Sequence, residues 1–242
     1  MSGEARAAGA VVLRCLWMPG QLNWWIGTVF ALGSFLFGLG SLLGLLPALA
    51  NACGLDASAI NEIYFSGSIP FTIAAYLQLF QAANAGTISP ETGARVPPAR
   101  RIYFGWQHGS IGWLSSALQF VGTLFFNINT FDSLIPVSTT AAQDLVVWVP
   151  DFLGSVLFLV SGYLAFAENA HAWWRWEPGS ISWWVTFTNL AGCVAFMLSA
   201  CFAFVPAHGA NLAATFLAVT FTLIGAVGFF AGSLLLLPEA AG

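Results

Sequence analysis

The stretch Trp113–Thr130, WLSSALQFVGTLFFNINT, decides how this chain is read. Its 18 residues carry no charge, and as a helix at about 1.5 Å per residue they nearly cross the hydrocarbon of a bilayer. Yet the stretch holds Gln119, Asn127, Asn129 and Thr130. Uncharged polar groups at such depth face other helices or a cavity, not lipid. Gly122, Phe126 and Thr130 are spaced four apart and therefore share one helical face.

Five further apolar runs flank it, so that the predicted spans cover about 22–46, 60–83, 110–131, 146–168, 181–205 and 212–237. Hydrophobic residues make up 58% of the 242 and charged residues only 7%, too few to cover a soluble surface. A spanning segment must satisfy its own backbone, which favours helices; the short alternating segments of a β-barrel are not seen. The expected fold class is all-α, an integral membrane six-helix bundle.

The chain divides accordingly. Residues 1–21 form an interfacial N-terminal segment, with Leu13, Leu16, Trp17 and Met18 toward lipid. Residues 22–83 form a first hairpin, 84–109 a basic loop, 110–168 a second hairpin, 169–180 a Trp-rich loop and 181–237 a third hairpin. Trp24-Trp25 and the tryptophans of HAWWRWEPGSISWW suit a belt at headgroup depth. All six arginines (Arg6, Arg14, Arg95, Arg100, Arg101 and Arg175) fall on the side of the termini, and Asp56, Asp132 and Asp144 fall opposite. The positive-inside rule then puts both termini in the cytoplasm, with a bacterial inner membrane as the expected location.

The hydrophobic segments repeat one another. Trp24, Trp113 and Trp183 each precede a glycine by nine positions: Gly33, Gly122 and Gly192. Phe37, Phe126 and Phe196 follow those glycines by four. The even-numbered spans carry the same pair as Gly67 with Phe71, Gly154 with Phe158, and Gly225 with Phe229. Small residues stand four further on, at Ser41, Ala75, Thr130, Gly162, Ala200 and Ser233. Such a face, a bulky residue between two small ones, is a helix-packing seam. The alternation makes the hairpin the unit, present three times, and predicts approximate threefold symmetry about the membrane normal.

The motifs QFVGTLFFNINT, VWVPDFLGSVLFLVSG and WWVTFTNLAGCVAFMLSA resemble those of bacterial multi-pass membrane proteins related to the YrhK-like domain, a short helical hairpin. The resemblance covers most of residues 22–237 and weakens in the first hairpin, where Phe30 stands in place of Gln119 and Asn189. It implies the hairpin architecture and carries no catalytic residues.

Chemistry is sparse. Gln119 and Asn189 stand six residues after their tryptophans, and two readings apply to them. Either they are interhelical glue, or with Asn127, Asn129 and Thr130 they line a polar cavity. Glu62 and Asp151 read as first-turn carboxylates that complement helix dipoles, which leaves no ionisable group deep in a span. Glu168 and His171 have E-x-x-H spacing, but one copy does not make a di-iron site, and Arg175 is a nearby partner for Glu168. His108, His171 and His208 lie in loops, which excludes a bis-histidine haem. Cys15, Cys53, Cys193 and Cys201 form no CxxC and read mainly as small buried thiols. No nucleotide loop, zinc motif or nucleophile arrangement is present, so neither an enzyme nor a cofactor is expected. The expected partner is the lipid bilayer, without nucleic acid; a homo-oligomer or a membrane partner subunit stays open. Two functions remain: a small-solute or ion pathway, or a non-enzymatic accessory protein holding a lipid, pigment or partner subunit.

Overall fold

The computed structural model describes residues 17–88, 95–96, 100–136, 139–206, 209 and 211–239. Most of the N-terminal segment, including Cys15, the middle of the basic loop, and His208 lie outside the described residues. Among the described residues the regular structure is helical apart from one two-residue ladder. The helices are α1 (Leu22–Leu45), α2 (Pro47–Ala52), α3 (Ala57–Ala83), α4 (Ile111–Asp132), α5 (Thr140–Gln143), α6 (Val149–Ala170), α7 (Ile181–Ala203) and α8 (Leu212–Glu239). The ladder pairs β1 (Thr87–Ile88) with β2 (Arg95–Val96) inside the basic loop. Six helical segments are long and apolar enough to cross a membrane; α5 and α6 belong to one of them, Thr140–Ala170.

The spans pack as a closed ring in chain order. Helix α1 meets α3, α3 meets α4, α4 meets α6, α6 meets α7, α7 meets α8, and α8 returns to α1. Consecutive spans run in opposite directions, so the starts of α1, α4 and α7 share one end of the bundle with the ends of α3, α6 and α8. We call this the tryptophan end, after Trp24, Trp113 and Trp183, and the other the far end.

Apolar side chains gain little from helix association in lipid, so close packing must supply the attraction. The glycine–phenylalanine register provides it. A Cβ added at Gly33 would lie 2.8 Å from Phe71, and one at Gly67 would lie 2.9 Å from Phe37. Between α4 and α6 the same test gives 2.7 Å from Gly122 to Phe158 and 3.2 Å from Gly154 to Phe126. Between α7 and α8 it gives 2.7 Å from Gly192 to Phe229 and 3.1 Å from Gly225 to Phe196. In each pair, every glycine receives the partner's phenylalanine ring. Hydrogen bonds add to this: Ser115 Oγ donates to Ser161 O at 2.9 Å while Ser161 Oγ donates to Ser115 O at 2.8 Å.

The structure corrects several expectations. The fourth span starts at Thr140, not near Val146, because α5 continues into α6 through a π-helical turn at Asp144–Trp148. Pro150 has no N–H to give, and its ring collides with the carbonyl four residues back. The turn just before it therefore widens, and Val149 N–H bonds Asp144 O. Asp151 lies in the first turn of α6, as expected, but because α5 runs on into α6 it also sits eleven residues inside the span Thr140–Ala170. Glu62 is not a first-turn carboxylate: α3 begins at Ala57, and Asp56 caps it by accepting from Ala59 N at 2.9 Å. The last helix runs through Pro238 to Glu239 instead of stopping before it. Arg175 pairs with Glu177 at 2.9 Å, not with Glu168.

The tryptophans divide into two sets. Trp173, Trp174 and Trp176 are exposed, as a belt requires, but Trp24, Trp113 and Trp183 are buried, Trp183 completely at 0% exposure. Trp113 Nε1 donates to Phe104 O at 2.9 Å and Trp183 Nε1 to Arg175 O at 2.8 Å, so both tie a loop back onto the bundle. Of the cysteines, Cys193 is buried whereas Cys53 and Cys201 are exposed.

Candidate functional site

The axis of the ring is closed at mid-height by six phenylalanine rings. Phe37, Phe126 and Phe196 form one layer, with centroids 6.2 Å apart for Phe37–Phe196 and 6.0 Å for Phe126–Phe196. Phe71, Phe158 and Phe229 form the next, at 5.7 Å for Phe71–Phe229 and 5.6 Å for Phe158–Phe229. The layers are stitched edge to face by Phe37–Phe71 at 5.3 Å and Phe126–Phe158 at 4.9 Å. Such geometries suit the aromatic quadrupole. The void among five of these rings and Ser68 is only about 10 Å³, no more than about one water-sized probe. These are the same rings that fill the glycine hollows, so packing the helices and closing the axis are one arrangement.

On the tryptophan side of this plug lies a cavity of about 870 Å³. All six spans reach it: Asn23 from α1, Gln78 and Gln81 from α3, Gln119 from α4, Glu168 and Asn169 from α6, Asn189 from α7, and Phe229 and Leu236 from α8. A space touched by every member of a ring is the ring's lumen. Its walls are rich in amides, and Gln78 Oε1 is buried without a partner. Gln81 Nε2 donates to Asn23 Oδ1 across α1 and α3. Glu168 stands at the matching place between α4 and α6, but its neighbour there is Gly112, where an added Cβ would lie 2.6 Å from Glu168 Oε2. The glycine lets the carboxylate rest on the first turn of α4, where unpaired N–H groups favour negative charge. Asn189 lies against Gly232 of α8; a Cβ there would come within 2.5 Å of its Oδ1.

On the far side lies a second cavity, about 470 Å³, also touched by all six spans. Phe37, Phe126 and Phe196 form its floor, and Asn61, Tyr64, Asn129, Thr130, Asp151, Ser199 and Thr222 supply polar groups. Most of these are paired. Tyr64 Oη donates to Ser41 Oγ at 2.9 Å, Ser199 and Thr222 hydroxyls are 2.7 Å apart, and Thr130 Oγ1 donates to Phe126 O at 2.7 Å. Asn129 Nδ2 donates to Val147 O at 2.8 Å, bracing the π-helical turn. The Asp151 carboxylate has no hydrogen-bond or ion-pair partner among the described residues.

The polar residues singled out from sequence thus separate. Gln119 and Asn189 line the tryptophan-side cavity, Asn129 and Thr130 line the far one, and Asn127 lines neither. Asn127 Nδ2 donates to Thr72 Oγ1 at 2.7 Å where α3 meets α4. Sequence reasoning missed Asp151, although the repeat contained a signal. Three residues before the even-span glycines stand Tyr64, Asp151 and Thr222, all polar and all in the far cavity. It also missed Gln78, which has no polar counterpart at Ala165 or Leu236. Among the described residues no group of three or more His, Cys, Asp or Glu side chains is placed to hold a metal.

The class defined so far is a multi-pass helical membrane protein with a plugged polar lumen. A scan against protein-family models and searches of curated proteins and solved structures each found no match.

Proposed function

We propose that this protein is a pathway for a small polar solute or an inorganic ion across a bilayer, shut at its middle by the phenylalanine plug. One observation carries the reading: two cavities furnished with polar side chains, each touched by every span, lie on either side of a plug whose void is only about 10 Å³. Buried polar groups are costly to keep in hydrocarbon, and a bundle that served only as an anchor has no need to line its axis with them. Three hairpins, α1 with α3, α4 with α6, and α7 with α8, are the building units of this reading. The reciprocal glycine–phenylalanine contact in each and the YrhK-like resemblance support it. The tryptophan end, which holds Arg100, Arg101 and Arg175, faces the cytoplasm of a bacterial inner membrane.

The test is osmotic shrinkage of proteoliposomes challenged with sodium and potassium salts, urea and glycerol. Protein-containing vesicles are expected to recover faster than empty ones with at least one of these solutes. Phe158→Ala with Phe229→Ala should speed recovery, and Gln119→Leu with Asn189→Leu should slow it in a folded protein. Recovery equal to empty vesicles, for wild type and plug variant alike, overturns the reading. An accessory role draws on a different observation. The outer groove between α1 and α8, about 240 Å³ and lined by Phe35, Leu39, Leu42, Val227 and Phe230, has room for a lipid acyl segment. Mass spectrometry of gently solubilised protein reads that alternative directly.

A further inference from the structure

We propose that Asp151 is the anionic ligand of a monovalent alkali-cation site in the far cavity. The inference rests on the pathway reading for its role, but on the local chemistry for its existence. Asp151 lies eleven residues inside a 31-residue span and faces a cavity lined by all six spans. A carboxylate inside a membrane bundle without a partner is costly and is retained where something compensates it. Among the described residues no arginine, lysine or histidine lines this cavity.

The comparison between matching positions sharpens the point. Tyr64 and Thr222, at Asp151's place before the other even-span glycines, each hydrogen-bond a serine hydroxyl on the neighbouring helix. The α4 residues at the matching places are Asn129 and Thr130, and both donate elsewhere, Asn129 Nδ2 to Val147 O in the π-helical turn and Thr130 Oγ1 to Phe126 O. That turn, forced by Pro150, continues the helix past what would otherwise be its start and sets the carboxylate inside the bundle. One group of the three is therefore an ionisable carboxyl without a partner where its counterparts are hydroxyls with partners.

The donor set selects the ligand class. A single carboxyl with neutral hydroxyl and amide oxygens (Thr130, Asn129, Ser199, Thr222) is a hard-oxygen environment that carries charge −1 when Asp151 is ionised. It balances one monovalent cation. Calcium or magnesium draws on more carboxylates, and a soft metal needs sulfur or imidazole, neither of which lines this cavity among the described residues.

Thermal unfolding in detergent, at constant ionic strength, with NaCl or KCl replacing choline chloride, tests the site without any flux measurement. A bound cation stabilises the folded protein with a saturable concentration dependence. The wild-type melting temperature is expected to rise with one alkali cation and not with choline, and Asp151→Asn should abolish the rise. If Asp151→Asn does not yield folded protein, Thr222→Val decides. Losing one oxygen ligand should raise the half-saturating cation concentration by about threefold or more; an unchanged midpoint overturns the site. No alkali-specific rise in wild type, or an equal rise in Asp151→Asn, also overturns it. A saturable, Asp151-dependent rise in a protein that moves no solute keeps the site and removes the pathway.

Discussion

At the scale of single residues, the same amino acid has opposite roles on two faces of the bundle. Gly122 lies beneath the Phe158 ring, and a methyl group there would fall 2.7 Å from Cδ2. Gly38 has nothing nearer than Ala226 Cβ at 3.9 Å. Gly122→Ala should therefore destabilise by about 1–3 kcal/mol through overpacking. Gly38→Ala should be neutral or stabilise by up to about 1 kcal/mol, because alanine is the better helix former. Melting temperatures of the two variants in one detergent check this, and equal losses would refute the packing argument. The seam glycines were legible in sequence because a repeated Gly–Phe spacing is itself a packing statement. Whether a polar residue faces the axis was less legible. Asn127 and Asn129 are two apart, so about 200° separates them around a helix. One braces a helix contact and the other reaches a cavity, a distinction that only the neighbouring helices draw.

At the scale of elements, the existence of all six spans followed from length and apolarity, while their ends did not. The fourth is instructive. Proline suits the first turn of a helix, so VPDF reads as a start. The structure instead carries the helix through the proline by opening a π-helical turn, which leaves a carbonyl needing a donor. Asn129 Nδ2 meets Val147 O at 2.8 Å and Trp148 Nε1 meets Ala200 O at 2.8 Å. The first bond comes to the turn from α4 and the second runs from the turn's own Trp148 out to α7, so both depend on neighbouring helices that no local window contains. Asn129→Leu should cost about 1–3 kcal/mol, because a carbonyl in a poorly solvated place loses its partner. Ser133 also bonds into this region, but through Asn129's backbone, so Ser133→Ala should cost less, about 0.5–1.5 kcal/mol. Unfolding of the two variants in mixed micelles gives the order, and a cost for Ser133→Ala that exceeds that of Asn129→Leu would refute the assignment of the brace.

At the scale of the whole molecule, the two ends of the bundle differ in charge, in aromatic content and in cavity chemistry. Arg100, Arg101 and Arg175 lie at the tryptophan end with Glu168, and the exposed Trp106, Trp173, Trp174 and Trp176 lie there too. The far end holds Asp56, Asp132 and Asp144 and the neutral-walled cavity around Asp151. Positive loops resist translocation, so the tryptophan end should remain on the cytoplasmic side. The loop between α1 and α3 then faces outward, and it carries an exposed Cys53. In a protein bearing Cys15→Ser, Cys193→Ser and Cys201→Ser, Cys53 should be the one reactive thiol. A membrane-impermeant maleimide should label it once the outer layers of otherwise intact cells are made passable to the reagent. A second single-cysteine protein, with Cys53→Ser added and Gly179→Cys placed in the Trp-rich turn, should be labelled only after the inner membrane is opened. Glycine at 179 has no atom near an added Cβ, so that substitution is not expected to disturb the fold. The reverse pattern would invert the bundle and put the Glu168 cavity, not the Asp151 cavity, on the outer face. Labelling of both sites in intact spheroplasts would show a mixed orientation, in which the arginine asymmetry does not set the topology.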